Sequence, residues 1–321
     1  MPTSSPRSAV LSPELQAALG RLQPWLEAAS RLPPIPAAVV HPCSTEAILA
    51  AVEGRDAGWI APILVGPPSR IQAAADAAGV ALDGLVIEAT EHSHAAAARA
   101  AELASQGRVR LLIKGSLHTD ELLEAVLAPG CHLRTGRRLS HIYAFDVTSY
   151  GRLVFVTDAA VNIAPTLDHK RDICQNAIDL LHRLGVARPR VAVLAAVETV
   201  NAQMPSTLDA AALTVMARRG QITGAVVDGP LAFDNAISSL AATIKGIESE
   251  VAGQADILLV PNIEAGNMLA KQLIWFNQAA AAGVVLGARV PIVLTSRSDT
   301  LATRLASLAL ARLQAEPGAT A

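Results

Sequence analysis

The sequence predicts an α/β protein of two domains, in which mostly parallel sheets carry helices on both faces. Two patterns predict the sheets. Short runs rich in valine and isoleucine alternate with alanine-rich helical segments, and many of these runs are apolar throughout, as in strands buried on both faces. The chain length of 321 residues favours two domains over one.

Composition narrows the possible functions. The chain is 51% hydrophobic but only 3% aromatic, so its core must consist of small aliphatic side chains. No apolar run is long enough to span a bilayer, and the N-terminus has no signal pattern, so we expect no membrane partner. A net charge of −2 without an extended basic stretch argues against nucleic acid. Cys43, Cys131 and Cys174 show no metal-ligand spacing, so we expect no metal and a cytoplasmic location.

The first domain begins after an N-terminal appendage, which we place at residues 1–36. Its one expected helix ends at the sequence LPPIP, because proline interrupts helices. From residue 37 the alternation is regular, and we expect the first α/β domain to cover 37–147 and to resume at 288–321. Four strands are predicted in its first part, separated by helices: 37–41, 60–66, 85–89 and 109–115.

A hairpin interrupts this alternation and marks the second domain, which we place at 148–287. The runs 141–147 and 152–158 are separated by four residues, too few for a crossover helix, so they should pair antiparallel. Alternation then resumes, with expected strands at 191–197, 224–227 and 257–260, and expected helices at 167–184, 208–219, 235–244 and 265–282.

The last strand, 290–294, should return to the first sheet and leave a cleft between the two halves. It ends at Thr295, Ser296 and Arg297, and a helix follows, for which Ser298 or Asp299 is a suitable N-cap. Ligands of open α/β sheets bind beyond the carboxyl ends of strands, where helix starts attract anions. An arginine with two hydroxyls there could form an oxyanion site. Alternatively, these residues only cap the helix and carry a surface charge.

Other polar clusters also follow apolar strands, which favours a shared ligand. They are Lys114-Gly115-Ser116, residues 158–165, residues 198–205, Asp228-Gly229-Pro230 and residues 262–267. Nucleotide motifs such as G-x-G-x-x-G after a strand and G-x-x-x-x-G-K-[ST] are missing. A second arginine-bearing loop contains Arg134, Arg137 and Arg138 around Gly136. Guanidinium groups bind phosphate with two parallel hydrogen bonds, although such a loop can also simply be solvated.

Six motifs in order resemble the phosphate acetyl/butyryltransferase family, from about Val39 to the end of the chain. They are LRTGRRLSH, TDAAVNIAPTLDHK, VAVLAAVETVNAQMPSTLDAAAL, GQITGAVVDGPLAFDNAIS, PNIEAGNMLAKQL and PIVLTSRSD. The phrases NIAPTL, VDGPLAFDNA, IEAGN and TSRSD are closer to the butyryltransferase branch. The stretch before Val39 resembles the form fused behind an enoyl-CoA hydratase domain. The resemblance implies a two-domain fold like that of isocitrate and isopropylmalate dehydrogenases, a homodimer, and an acyl-CoA site between the domains.

The implied reaction converts short-chain acyl-CoA and phosphate to acyl phosphate and CoA, with both as substrates and no bound cofactor. The resemblance places the catalytic pair on Ser296 and Arg297. It places phosphate contacts on Thr295 and on Arg134 or Arg137. It further implies an acyl-CoA cleft formed by Lys114, Asn162, Asp228, Gly229, Pro230, Glu264, Gly266 and Asn267.

One acid departs from the family pattern. The acetyltransferases carry an aspartate a few residues after the catalytic pair, but that spacing falls near Thr303, and the nearest acid is Asp299. Asp299 is therefore expected as an acid/base or orienting residue, and the general base stays open. Two alternative functions are a non-catalytic acyl-CoA-binding module and a dehydrogenase on the same fold. The dehydrogenase is disfavoured because the sequence shows no aspartate cluster suited to a divalent metal.

Overall fold

The computed structural model describes residues 13–294 and 299–316, and the chain divides into two compact units. Unit 1 takes the chain up to Gly136 and again from Ala282, and unit 2 takes Arg137–Ala281. The sequence predicts these transitions after residue 147 and before residue 288. The division therefore precedes the hairpin instead of following its first strand, so both hairpin strands lie in unit 2.

Residues 13–36 pack into unit 1, although the sequence suggested an appendage. Helices α1 (Pro13–Leu19) and α2 (Gln23–Ser30) both contact α12 (Leu301–Gln314). Three leucines of the segment are buried, Leu19, Leu22 and Leu26. Strand β1 (Ile35–Val40) then follows directly. The helical segment predicted here therefore has a helical partner, α12, from the other end of the chain.

Unit 1 contains a sheet with the strand order β3-β2-β1-β4-β11-β10. Its other strands are β2 (Ile60–Gly66), β3 (Val86–Ala89), β4 (Leu111–Lys114), β10 (Ala280–Leu286, of which unit 1 takes the part from Ala282) and β11 (Ile292–Val293). Its other helices are α3 (Thr45–Asp56), α4 (Pro68–Ala78), α5 (Ser93–Ser105) and α6 (Thr119–Leu127). The first five strands in this order pair in parallel, and β10 pairs with β11 antiparallel.

The helices of unit 1 cover opposite faces of its sheet. The chain runs from β1 through β2 to β3 in one direction along the sheet and then returns past β1 to β4. Because crossovers between parallel strands are right-handed, connections in opposite directions place their helices on opposite faces. Accordingly, α3 contacts α4 and α12, whereas α5 contacts α6. Strands β1 and β4 are therefore neighbours whose following helices lie on different sides.

Unit 2 contains strands in the order β5-β6-β9-β7-β8. These are β5 (Ser140–Asp146), β6 (Leu153–Thr157), β7 (Arg190–Leu194), β8 (Val226–Leu231) and β9 (Ile257–Leu259). Its helices are α7 (Leu167–Arg183), α8 (Pro205–Arg218), α9 (Phe233–Ile237), α10 (Ser239–Ile244) and α11 (Ile263–Trp275). Strands β5 and β6 pair antiparallel, which confirms the predicted hairpin, and the others pair in parallel.

Three local predictions were wrong. The helix expected over 265–282 ends at Trp275, and the apolar run after it forms β10, because Val284, Val285 and Leu286 are buried in the sheet. Alanine-rich sequence before a valine pair suits either structure, so periodicity could not separate them. The helix expected over 235–244 is divided into α9 and α10. Helix α12 is capped by Thr300, whose hydroxyl accepts from the N–H of Thr303, and Asp299 does not cap it.

Candidate active site

The strand that carries the expected catalytic loop lies in the parallel part of the unit 1 sheet. Residues Ile292 and Val293 of β11 pair with Leu112 and Ile113 of β4. The predicted return of the last strand to the first sheet is therefore confirmed. Thr295, Ser296 and Arg297 follow this strand in sequence and lie outside the described residues, as does Ser298.

Asp299 is the first described residue after this gap. It is half-buried, and its backbone carbonyl accepts a 2.9 Å hydrogen bond from a terminal nitrogen of Arg304. Arg304 thus ties the start of the segment to α12. Because Asp299 lies immediately before the N-cap of α12, it lies near the positive end of the helix dipole, which favours a negative charge.

Arg134 is exposed on a segment that the backbone of unit 1 holds in place. It forms an isolated antiparallel bridge with Ala288. On either side, Thr135 donates its hydroxyl to the carbonyl of Gly287 over 2.6 Å, and the N–H of Arg289 donates to Leu133 over 3.0 Å. Bonds on three successive residues fix the backbone, so the guanidinium group of Arg134 can move only through its own side-chain rotations.

Arg137 and Arg138 belong to unit 2 and have different partners. Exposed Arg137 forms an ion pair with Asp179 of α7. Arg138 donates its Nε–H to Oδ1 of Asn162 over 2.6 Å. Arg138 therefore contacts an expected cleft residue, although the family resemblance favours Arg134 or Arg137 for phosphate. Nothing local could have singled it out, because all three occupy the same short loop.

Asn162 occupies the centre of a buried hydrogen-bonded turn. It is 3% exposed, and its Nδ2 donates to the carbonyl of Leu139 over 2.8 Å and to a carboxylate oxygen of Asp158. That carboxylate also accepts from the backbone N–H groups of Ala160, Val161 and Asn162. Burial raises the pKa of Asp158, and these hydrogen bonds oppose the rise. The turn after β6 is thus fixed at each successive residue.

Two further expected cleft residues pack against this turn. Asn267 donates from Nδ2 to the carbonyl of Ala159 over 3.3 Å. A Cβ at Gly266 would come within 2.6 Å of the carbonyl oxygen of Asp158, so only glycine fits there. Strands β6 and β9 are parallel neighbours, so Asn162, Gly266 and Asn267 meet at their carboxyl ends, as expected. Glu264 is exposed on the first turn of α11.

Asp228, Gly229 and Pro230 do not belong to this group. They lie within β8 and not in a loop after it. A Cβ at Gly229 would lie 2.7 Å from the carbonyl oxygen of Val193, so close packing against β7 explains this glycine. Because β9 and β7 lie between β6 and β8, two strands separate the segment from the end of β6, which Asn162 follows. The strand predicted at 224–227 ended too early, because aspartate, glycine and proline are rare inside strands.

A second buried polar group lies in unit 1, at the carboxyl ends of β1 and β4. His41, which follows β1, is 3% exposed, and its Nδ1 lies 3.1 Å from the carbonyl oxygen of Ser116. Lys114, an expected cleft residue, is half-buried beside it at the end of β4. Ser116 belongs to a polar cluster that the sequence predicts, whereas His41 was not predicted as a site residue. The available signal was a histidine directly after a run of apolar residues.

Within the described ranges, no three histidine, cysteine or acidic side chains are grouped so that they could hold a metal ion. No helix in this part of the chain is long and apolar enough to cross a membrane.

Comparison with known proteins identifies related sequences. The family profile described as phosphate acetyl/butaryl transferase matches residues 85–312, which is more than half of the chain. A phosphate acetyltransferase of Rhizobium meliloti is 57% identical over 277 residues, covering 86% of this chain and 88% of that protein. A phosphate butyryltransferase of Clostridium acetobutylicum is 43% identical over 271 residues, covering 84% of this chain and 90% of that protein.

Solved structures give the same relationship. A branched-chain phosphotransacylase from Enterococcus faecalis V583 aligns with a TM-score of 0.77 and 30% identity, covering 88% of this chain and 99% of that one. A 4-hydroxythreonine-4-phosphate dehydrogenase from Klebsiella pneumoniae aligns with a TM-score of 0.51 and 13% identity, covering 89% of this chain and 100% of that one. The second likeness concerns the fold alone and confirms the expected dehydrogenase-like class.

Proposed function

Because the chain belongs to the phosphate acetyl/butyryl transferase family and is therefore an acyltransferase, we propose that it transfers short acyl groups between coenzyme A and inorganic phosphate. The products are an acyl phosphate and free CoA. The observation that carries this proposal is the 57% identity to a phosphate acetyltransferase over 86% of the chain. The alternatives raised by the sequence, a non-catalytic module and a dehydrogenase, are not favoured, since the dehydrogenase likeness has only 13% identity.

The roles of individual residues are part of the proposal. Arg297 and a loop arginine, Arg134 or Arg137, bind phosphate together with the hydroxyl of Thr295. Ser296 donates to the oxyanion that forms when phosphate attacks the thioester carbonyl. Arg138 becomes a further candidate for phosphate because its contact with Asn162 orients it. Asp299 serves as an acid/base or orienting residue.

Positioning of phosphate and stabilisation of the oxyanion account for most of the expected rate acceleration. Phosphate is already anionic at neutral pH, so its oxygen needs little activation. Holding it against a thioester supplies roughly 7–11 kcal/mol through the entropy of orientation. One preorganised donor to the oxyanion supplies roughly 2.7–4 kcal/mol. These contributions require the arginines and Ser296, and they do not require a metal.

The decisive experiment measures release of the CoA thiol from acetyl-, propionyl- and butyryl-CoA with the purified protein. We expect release that requires phosphate and saturates with it. The profile across the three thioesters also gives the preferred acyl length, on which the relatives differ between acetyl and butyryl. A folded protein that releases no thiol from any of them contradicts the proposal.

The role of Arg297 has its own test. Arg297→Gln should raise the KM for phosphate at least tenfold and change the KM for acyl-CoA less, because it removes a charged bidentate partner of phosphate. Arg218→Gln is the matched control, since Arg218 is an exposed arginine at the end of α8 in unit 2. Equal phosphate kinetics in both variants would remove Arg297 from the phosphate site.

We also propose a homodimer and a cytoplasmic location. Exposed apolar side chains on α10 and α11 support the dimer, and they include Leu240, Ile244, Met268 and Trp275. All three cysteines are free thiols, which suits a reducing compartment. Sedimentation of the purified protein tests the dimer, and a monomer at micromolar concentration would contradict it.

A further inference from the structure

Strands β1 and β4 form a topological switch point in unit 1. They are parallel neighbours, and their following helices, α3 and α6, lie on opposite faces of the sheet. Open α/β sheets form a crevice outside the carboxyl ends of such a strand pair, and ligands bind there. In this chain, His41 follows β1 at that position, and Gly115 and Ser116 follow β4.

The backbone brings these two segments into close contact. The N–H of Gly115 donates to the carbonyl of Val40, and the N–H of Ser116 donates to the carbonyl of His41. A Cβ at Gly115 would lie 2.5 Å and 2.6 Å from those two carbonyl oxygens. His41 itself has a φ of 52°, a left-handed conformation that non-glycine residues rarely adopt. This combination directs the imidazole towards Ser116.

The contact with Ser116 determines the tautomer of His41. A carbonyl oxygen can only accept a hydrogen bond, so Nδ1 must carry the proton in the 3.1 Å contact. In a neutral imidazole, Nε2 then has a free lone pair. Nε2 is buried and has no hydrogen-bonding partner among the described residues. The ring is therefore held as an oriented base, with a third group fixing its orientation, as in known base-assisted sites.

Two hydroxyls at the same edge also have unsatisfied oxygens. Oγ of Ser116 and Oγ1 of Thr90 are buried without partners in the part of the chain that the structure describes. Thr90 follows β3, and its N–H donates to Gly66, which neighbours His41 across the sheet. Both residues are half-buried, so the edge is open to solvent on either side of His41. Three unsatisfied polar atoms in one row indicate a site for a polar ligand.

Lys114 ends the neighbouring strand β4 beside His41, and three other charged or titratable groups of the described residues shift the pKa of His41. Burial lowers the pKa of His41, assisted by the charge of Arg70 on α4 and by His92 at the start of α5. The carbonyl of Ser116 and the charge of Glu121 on α6 act in the opposite direction without reversing the shift. The imidazole is therefore unprotonated at neutral pH and can accept a proton.

The proposed catalytic loop begins at the same edge. Strand β11 is the other parallel neighbour of β4, so the end of β11 lies two strands from the end of β1, or about 10 Å at about 4.8 Å per strand. Ser296 and Arg297 follow β11 after Leu294. A thioester sulfur bound beyond the ends of β1 and β4 would be within reach of the imidazole of His41.

We propose that Nε2 of His41 accepts the proton of the CoA thiol when the enzyme converts acyl phosphate and CoA to acyl-CoA and phosphate. This role rests on the proposed acyl transfer and supplies the general base that the missing family aspartate leaves open. The sulfur attacks the carbonyl carbon as its proton moves to Nε2, and the carbon–oxygen bond to phosphate then breaks. Phosphate leaves with the electron pair, and the imidazolium returns its proton to phosphate or water. In the reverse direction, the imidazolium protonates the departing sulfur.

The test follows acyl-CoA formation from acetyl phosphate and CoA between pH 6.5 and 9. Asparagine tolerates the left-handed conformation, so His41→Asn keeps the backbone and removes the base. We expect kcat/KM to fall by about 10²–10⁴ at pH 6.5. A thiol with a pKa near 8.5 ionises unaided as the pH rises, so the ratio of wild type to variant should shrink about tenfold per pH unit up to that pKa. A merely structural role would give a constant ratio.

A second variant guards against misfolding of the first. Glycine accepts a φ of 52° without strain, and His41→Gly leaves space for imidazole added to the buffer. Added imidazole should restore part of the lost rate at pH 7 in this variant and have no effect on His94→Gln. His94 is the matched control, since its side chain is 71% exposed on the first turn of α5.

The outcomes separate this inference from the proposed function. A wild-type enzyme that makes no acyl-CoA overturns the function and this role with it. An active wild type with a constant ratio for His41→Asn and no imidazole rescue overturns the role of His41 alone. The pH profile of the wild-type rate tests the role of His41 even if neither variant folds. A rate that rises tenfold per pH unit up to the thiol pKa would show that the enzyme uses no base.

Discussion

The Nε–H of Arg138 donates to Oδ1 of Asn162 over 2.6 Å, while Nδ2 of the same asparagine donates to the carbonyl of Leu139. The amide is therefore oriented by two neighbours, with its oxygen towards the arginine. A neutral amide holds a guanidinium group in place without cancelling its charge. In contrast, Arg137 faces the carboxylate of Asp179. The loop thus contains one arginine oriented by an amide and one paired with an acid.

Substitution of the loop arginines should separate these situations. Arg138→Gln should raise the KM for phosphate about tenfold or more, since a hydrogen bond to a charged group contributes about 1.5–3 kcal/mol. Arg137→Gln should have a smaller effect, because Asp179 already neutralises its charge. Initial rates at varied phosphate measure both, with Arg134→Gln in the same series. If Arg137→Gln has the larger effect, the ion pair with Asp179 must open in the working enzyme.

Stability should fall in acid because of His141. This side chain is fully buried, and burial lowers its pKa from 6.5 to about 3. Between these two values the unfolded chain binds a proton that the folded chain does not. The free energy of unfolding therefore decreases as the pH falls below 6.5, by about 2 kcal/mol at pH 5. Urea titrations at pH 7 and pH 5 measure this change.

The uncharged variant His141→Gln is the control for the histidine, since other groups titrate in the same range. Its loss of stability between pH 7 and pH 5 should be smaller by that amount. Identical pH dependence of the two proteins would mean that His141 is protonated in the folded state.

Gly115→Ala should destabilise unit 1. The new methyl group would meet two backbone oxygens within 2.6 Å, and backbone cannot move aside as a flexible side chain can. Either the bonds between β1 and β4 ends lengthen or the strands separate, at a cost of about 1–3 kcal/mol. Gly130→Ala is the matched control, because a Cβ there meets nothing within 4 Å. Thermal unfolding of both variants measures the difference in stability. Equal melting temperatures would contradict the close contact of Gly115 with the two backbone oxygens.

Leu22→Ala tests whether residues 13–36 stabilise unit 1. Leu22 is fully buried where the N-terminal helices pack against α12, and truncating such a leucine costs about 2–5 kcal/mol. Glu27→Ala, an exposed substitution on α2, should cost less than about 1 kcal/mol. Chemical denaturation measures both. Equal stability of the two variants would restore the description of this segment as an appendage.

Local patterns in the sequence were sufficient to predict structure where it depends on residues close in sequence. The four residues between 147 and 152 allowed only a hairpin, and the apolar runs allowed only buried strands. The sequence also predicted the clusters that follow β6 and β9, and their residues Asn162, Gly266 and Asn267 lie at adjacent strand ends. Local patterns were insufficient at 276–286, where alanine-rich sequence suits helix and strand alike, and burial in a sheet selected β10.

By itself, the sequence determined the alternation of strands and helices, the hairpin, the family and the segments that carry polar groups. Tertiary structure alone decided which arginine meets Asn162 and that His41 meets Ser116, across separations of 24 and 75 residues. The physical reason is that side-chain period and turn length act over a few residues, whereas such contacts depend on strand order and on the face each crossover helix takes. The sequence shows only that His41 follows a strand. The carbonyl of Ser116, which fixes the proton on its Nδ1, comes from a neighbouring strand end that is distant in sequence.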